Sequence, residues 1–175
     1  MADSLSDLLI STLSFAPISR IRRNHGLEHA TVHILSERHP GVGIAGRSTP
    51  GGFYIYGDLT VEQVKSAADE AVARLRAGES RLTIHPGCGT NLVASGMMAG
   101  MAVFAATGLG KRRSRWESLP TAITAATLAL LASQPVGPLL QERITTSADM
   151  STMQILGVWR TNTSGLPVHR VDTRS

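Results

Sequence analysis

Aromatic residues are scarce in this chain: three Phe, two Trp and two Tyr among 175 residues. Nucleic-acid surfaces interleave basic side chains with rings that stack on bases, and no such stripe runs along the sequence. The net charge is +4 with His neutral. Two basic clusters stand out, 20-RIRR-23 and 111-KRRSR-115. Nucleic acid is therefore not expected as a partner. Cysteine is limited to Cys88, which excludes an intrachain disulfide and suits a reducing compartment or a metal-bound thiolate. A standard secretory leader is also missing. The stretch 5-LSDLLISTLSFAPI-18 is apolar, but Asp7 interrupts it and no cationic segment precedes it. Leu5, Leu8, Leu9, Ile10, Leu13 and Ile18 suit one apolar helix face, followed by 20-RIRR-23. That pattern fits an amphipathic segment at a membrane surface and an ordinary packing helix equally well.

Charge is lacking over two longer runs, Thr90–Gly110 and Ser118–Gln141. About twenty uncharged residues is the length of a helix that crosses a bilayer core. The first run is rich in Ala, Gly, Ser and Met and contains Gly96-x-x-x-Gly100, a spacing that lets helix backbones approach closely in lipid. The two runs predict a transmembrane helical hairpin joined by 111-KRRSRWES-118. The alternative is a pair of buried helices, which so small a soluble domain could hardly cover. The positive-inside rule would hold 111-KRRSR-115 in the cytoplasm and place the N-terminal domain opposite. The lone thiol and missing leader argue the other way, for a cytoplasmic N-terminal domain, and that is the expectation adopted.

The rest of the chain reads as α+β. Leu27, Ala30, Ile34 and Leu35 recur near helical period from Asn24 to Arg38, and His39-Pro40-Gly41 ends that helix, with His39 as its cap. Two β-rich runs, 42-VGIAGRS-48 and 53-FYIYGDL-59, flank 49-TPGG-52 and predict a hairpin. Thr60 opens a second helix through the capping box 60-TVEQ-63, and Val61, Val64, Ala68, Ala71, Val72 and Leu75 form its apolar stripe. A short strand is expected at 81-RLTIH-85. Further on, 153-MQILGVWR-160 and 167-PVHRVDT-173 predict a C-terminal β-hairpin that can complete the sheet, with His169 at its surface. Four parts follow: an N-terminal amphipathic segment (1–23), an α+β metal-site domain (24–89), the transmembrane hairpin (90–141) and the β-hairpin tail (142–175).

The chemistry concentrates in 24-NHGLEHATVH-33 and 85-HPGCGT-90. Residues four apart on a helix share a face, so His25 and His29 can point two imidazoles at one ion. With Glu28 between them the order is H-x-x-E-H, in which two His ligate zinc and the Glu acts as base toward a metal-held water. His85 and Cys88 form a His-x-x-Cys turn with nitrogen and sulfur donors typical of zinc. All four together make a closed His₃Cys site suited to structure; three of them leave a position open for chemistry. His33 continues the helix stripe as a bystander or supporting group.

The pairing of HG-x-EH with a downstream HP-x-CGT that runs into an apolar helix resembles the uncharacterised bacterial YqhQ-like membrane-protein family. Over a longer stretch, the HGLEHAT helix, the GFY-x-YGD segment and HP-x-CGTN resemble a family of short bacterial membrane proteins known as a domain of unknown function. That resemblance covers about Asn24 to Thr107 and implies that His25, Glu28, His29, His85 and Cys88 form one site beside the membrane. It implies no activity. The residues themselves predict a membrane-embedded zinc protein that hydrolyses peptide bonds, with Glu28 as base. The competing expectation is a non-catalytic scaffold with a structural zinc. Its partners would be membrane lipid and a second copy or another membrane protein, packed on the Gly96/Gly100 face.

Overall fold

The computed structural model describes residues 7–8, 11–108, 115–163 and 165–175. Leu5, Leu9 and Ile10 of the expected N-terminal apolar face, and most of 111-KRRSR-115, lie outside the described residues. The chain divides into two units, one formed by Met1–His85 with Glu142–Ser175 and the other by Pro86–Gln141.

In the first unit, helix α1 runs from Ala16 to Arg38. It starts upstream of the expected Asn24 because Pro17 lies in its first turn, where the missing N–H costs nothing. It stops where His39, just before Pro40, caps it through a bond from its N–H to the Leu35 carbonyl. Strands β1 (Ala45–Thr49) and β2 (Gly52–Tyr56) form the hairpin around Pro50-Gly51. Helix α2 (Val61–Arg76) begins at Thr60 with both bonds of the capping box in place. The expected strand at 81–85 is instead a 3-10 turn, Ser80–Thr83. Thr83 is buried there and its hydroxyl bonds the Ser80 carbonyl, a local closure that competes with extended backbone.

Strands β3 (Gln154–Thr163) and β4 (Leu166–Arg174) complete an antiparallel sheet in the order β1-β2-β4-β3. Leu27, Ile34 and Leu35 of α1, Val64, Ala68 and Leu75 of α2, and Phe53, Ile55 and Val171 of the sheet share one core, with Met150 and Met153. Burying each large apolar side chain stabilises the fold by about 1.5–3 kcal/mol. His169, expected at the surface, is fully buried among them. It faces the core because it sits opposite buried Ile55, and opposed residues of paired strands share a face.

Two polar devices pin distant segments onto α1. Buried Asn24 donates to the carbonyls of Thr49 and Pro50 and accepts from the Thr173 hydroxyl, tying the β1–β2 turn and the end of β4 to the helix. Arg22 donates to the carbonyls of Arg143 and Ile144, while Ser147 N–H bonds the Arg22 carbonyl. The chain crosses so close there that a side chain on Gly26 would meet the Ser147 carbonyl.

The second unit holds helices α3 (Gly89–Gly108), α4 (Arg115–Ser133) and the short α5 (Val136–Leu140). The Ser95 and Ser133 hydroxyls bond at 2.7 Å, and Gln141 donates to the Asn91 side chain, also at 2.7 Å. Among the described residues, α3 is apolar and long enough to cross a membrane; the second run qualifies only as a pair of segments, Trp116–Ser133 and Val136–Thr145, bent by 51°. The expected two-helix transmembrane hairpin is therefore not supported, because Gln134-Pro135 breaks the second run and leaves α3 as the single continuous apolar helix of spanning length among the described residues. Gly96 and Gly100 are exposed, with nothing near the position of an added side chain.

Candidate metal centre

The three candidate donors nearest one another are His25, His29 and Cys88, whose ligand atoms all lie within 4.8 Å of one another. Donors around a tetrahedral zinc stand about 3.5 Å apart, so modest adjustment brings this set to coordination distance. Nitrogen and thiolate donors in this ratio suit zinc and related borderline metals.

The helix supplies the first two. His25 and His29 are one turn apart on α1, with ring centroids 4.3 Å apart. Each ring is oriented through Nδ1: His25 faces the Thr145 carbonyl at 3.0 Å and His29 faces the Thr83 carbonyl at 2.6 Å. A carbonyl accepts only from a protonated nitrogen, so each ring carries a proton on Nδ1, and Nε2 is the nitrogen that could serve as a metal ligand. That is the usual outer support of a metal-bound imidazole. The Arg22 clamp on Arg143 and Ile144 holds the segment bearing the Thr145 carbonyl. These supports leave no trace in the sequence: Thr145 and Thr83 contribute backbone atoms, which no side-chain motif reveals.

His85 stands further along the same row. Its ring centroid lies 5.6 Å from His29 and 4.9 Å from His33. His33 Nε2 meets the Ile84 carbonyl at 2.9 Å. Burial, with the His33 and His29 rings alongside, pushes the His85 imidazole down to about 4. It is neutral at ordinary pH, the form that can coordinate. In the unfolded chain the ring takes up a proton below about 6.5, but in the fold only near 4. Stability is thus fully present above pH 6.5 and is lost as pH falls toward 4. The urea midpoint of the metal-free protein is expected to drop across this window, and the drop should shrink in His85→Gln. An unchanged pH dependence in that variant would remove His85 from the account.

Glu28 is not a member of that donor group. It is buried, and its carboxylate occupies the space over Gly46 of β1 that a side chain there would need. The structure therefore brings His25, His29 and Cys88 together, sets His85 next to His29, and places the Glu28 carboxylate against the sheet.

These features define a mixed α+β protein with a His/His/Cys group able to hold a metal ion and one helix apolar enough to span a membrane. The chain belongs to the family described as Domain of unknown function (DUF6391), which matches residues 20–158. It is also 36% identical, over 95% of its length and 87% of the relative's, to an uncharacterised protein of Picosynechococcus. No solved structure matches it.

Proposed function

We propose that this protein is a membrane-anchored metalloprotein that holds one zinc-class ion on His25, His29 and Cys88. The observation that carries the reading is the donor group itself, two imidazoles oriented by backbone carbonyls together with a thiol. Anchoring is supported by the surface of α3. Ala94 is its buried residue among those described, while Leu92, Met97 and Phe104 are exposed. A soluble protein covers such a helix; lipid removes the need. The chain's path adds support for a second crossing by the bent α4–α5 pair. Both flanks of 86–141 contribute strands to one sheet, so an inserted segment that leaves the side of the sheet must return to it.

Full-length protein purified in detergent should carry about one zinc per chain. Exchange for Co(II) should give a thiolate-to-cobalt absorption band. Metal-free protein that neither takes up zinc nor develops that band would refute the reading.

Two finer readings of the bound ion differ in the fourth position. Three protein donors leave a tetrahedral ion one site for water, and a zinc-held water has a pKa near roughly 7. In the first, peptide hydrolysis would use Glu28, whose carboxylate packs beside Gly46, as the base. The alternative is that His85, already beside His29, closes the site, and the metal contributes folding energy to a non-catalytic scaffold. Glu28→Gln separates them. Metal-dependent peptidase activity falling about a hundredfold or more, with zinc content unchanged, supports hydrolysis. Chelation that unfolds the protein, with no activity affected by Glu28→Gln, supports the scaffold. The relation to YqhQ-like proteins rests on the HG-x-EH and HP-x-CGT motifs and adds no activity to either reading.

A further inference from the structure

A cleft lies at the start of the other helix of the first unit and shares no residue with the metal group. The end of the sheet at β3 and β4 and the start of α2 enclose a cleft of about 480 Å³. Its wall includes Arg160 of β3, His169 of β4, and Asp58, Thr60 and Gln63 at the start of α2. Arg160 and His169 are opposed in the sheet, so their side chains share the face that looks toward the helix. His169 is fully buried, and neither ring nitrogen has a hydrogen-bond partner of ordinary geometry among the described residues. Burial and the nearby Arg160 charge lower its affinity for a proton, against a smaller opposing pull from the backbone of Ile55 and Leu59.

An unsatisfied buried imidazole costs stability, so its retention calls for a reason, and a ligand that completes it is one. The chemistry of the wall narrows the ligand. A neutral imidazole offers one donor and one acceptor. Its complement must both accept and donate. The Arg160 guanidinium favours an anion, and the dipole of the 16-residue helix α2 adds to it, although the capping box and Glu62 already occupy the first N–H groups of that helix. Asp58, exposed at the mouth, disfavours a fully ionised group and can accept from a hydroxyl. A carboxylate or sulfate only accepts. A hydrogen phosphate accepts and donates.

We propose that the cleft walled by Arg160, His169 and the N-terminus of α2 binds a phosphate monoester or inorganic phosphate, with Arg160 pairing the charge and His169 exchanging hydrogen bonds with the P–OH and P–O groups. The test uses the full chain in detergent near neutral pH, with the imidazole resonances followed by NMR. Inorganic phosphate should shift the His169 signals saturably. Arg160→Gln should weaken that response about tenfold or more. Arg47→Gln, at an exposed position of β1 outside this wall, should leave it unchanged. Tighter binding of phosphatidic acid in mixed micelles would identify a lipid source, and tighter binding of glycerol phosphate a soluble one; both support the site. His169→Leu should hold or raise the melting temperature, and it should lose the further rise that saturating phosphate gives the parent chain. No saturable shift, an unchanged response in Arg160→Gln, an equal response to sulfate, or a lowered melting temperature in His169→Leu would overturn the proposal.

Discussion

Replacing Cys88 with serine should weaken zinc binding by more than about a hundredfold and abolish the thiolate-to-cobalt band. Loss of an outer supporting group costs a metal site about 10–100-fold, and losing one of three coordinating atoms costs more. His29→Ala should do the same through the loss of its Nε2. It also vacates a side chain that is 3% exposed and bonded to the Thr83 carbonyl, so part of its effect will fall on stability. His33→Ala is the informative contrast. Its ring lies in the same row, but its Nε2 meets the Ile84 carbonyl and it is not in the donor group. Zinc content should survive that change. If His33→Ala empties the protein of zinc while Cys88→Ser retains it, the donor set is misassigned.

The largest effect on folding is expected at Gly52. This residue opens β2 at φ 139°, and an added side chain would run into the Val171 carbonyl of β4. Alanine there meets both a disfavoured backbone conformation and a fixed backbone atom in the middle of the sheet. Together these should cost about 3 kcal/mol or more. Gly43→Ala serves as the reference, since nothing lies near an added side chain at that position. Its effect should stay within about 0.5 kcal/mol. Equal denaturant midpoints for the two variants would show that the β2–β4 junction yields more easily than its geometry indicates.

Local signals were legible where a short stretch carries its own physics. The Pro-Gly-Gly turn marked the β1–β2 hairpin, and 60-TVEQ-63 marked the start of α2. The strand expected at 81–85 failed because a Thr83–Ser80 bond closes that backbone on itself, which alternation of residue types does not reveal. The face of His169 was ambiguous for a related reason. Val168 and Val171 are three apart and lie on opposite faces of β4, so a period of two does not identify the inward side. Only the pairing with Ile55 decides it. At the metal group the spacing of His25 and His29 was readable from the helix. The Thr145 carbonyl that orients His25 comes from 120 residues away.

The strand order has a consequence for biosynthesis. Gly52 of β2 pairs with Asp172 of β4, so about 120 residues of chain must follow β2 out of the ribosome before the sheet can close. At roughly 5–20 residues per second, that interval is about 6–24 s. Throughout it β2 keeps one edge unpaired, and the core lacks Val171, Met150 and Met153. The apolar segment 86–141 emerges during the same wait. A nascent chain in this state is exposed to strand-edge association for the whole of that interval.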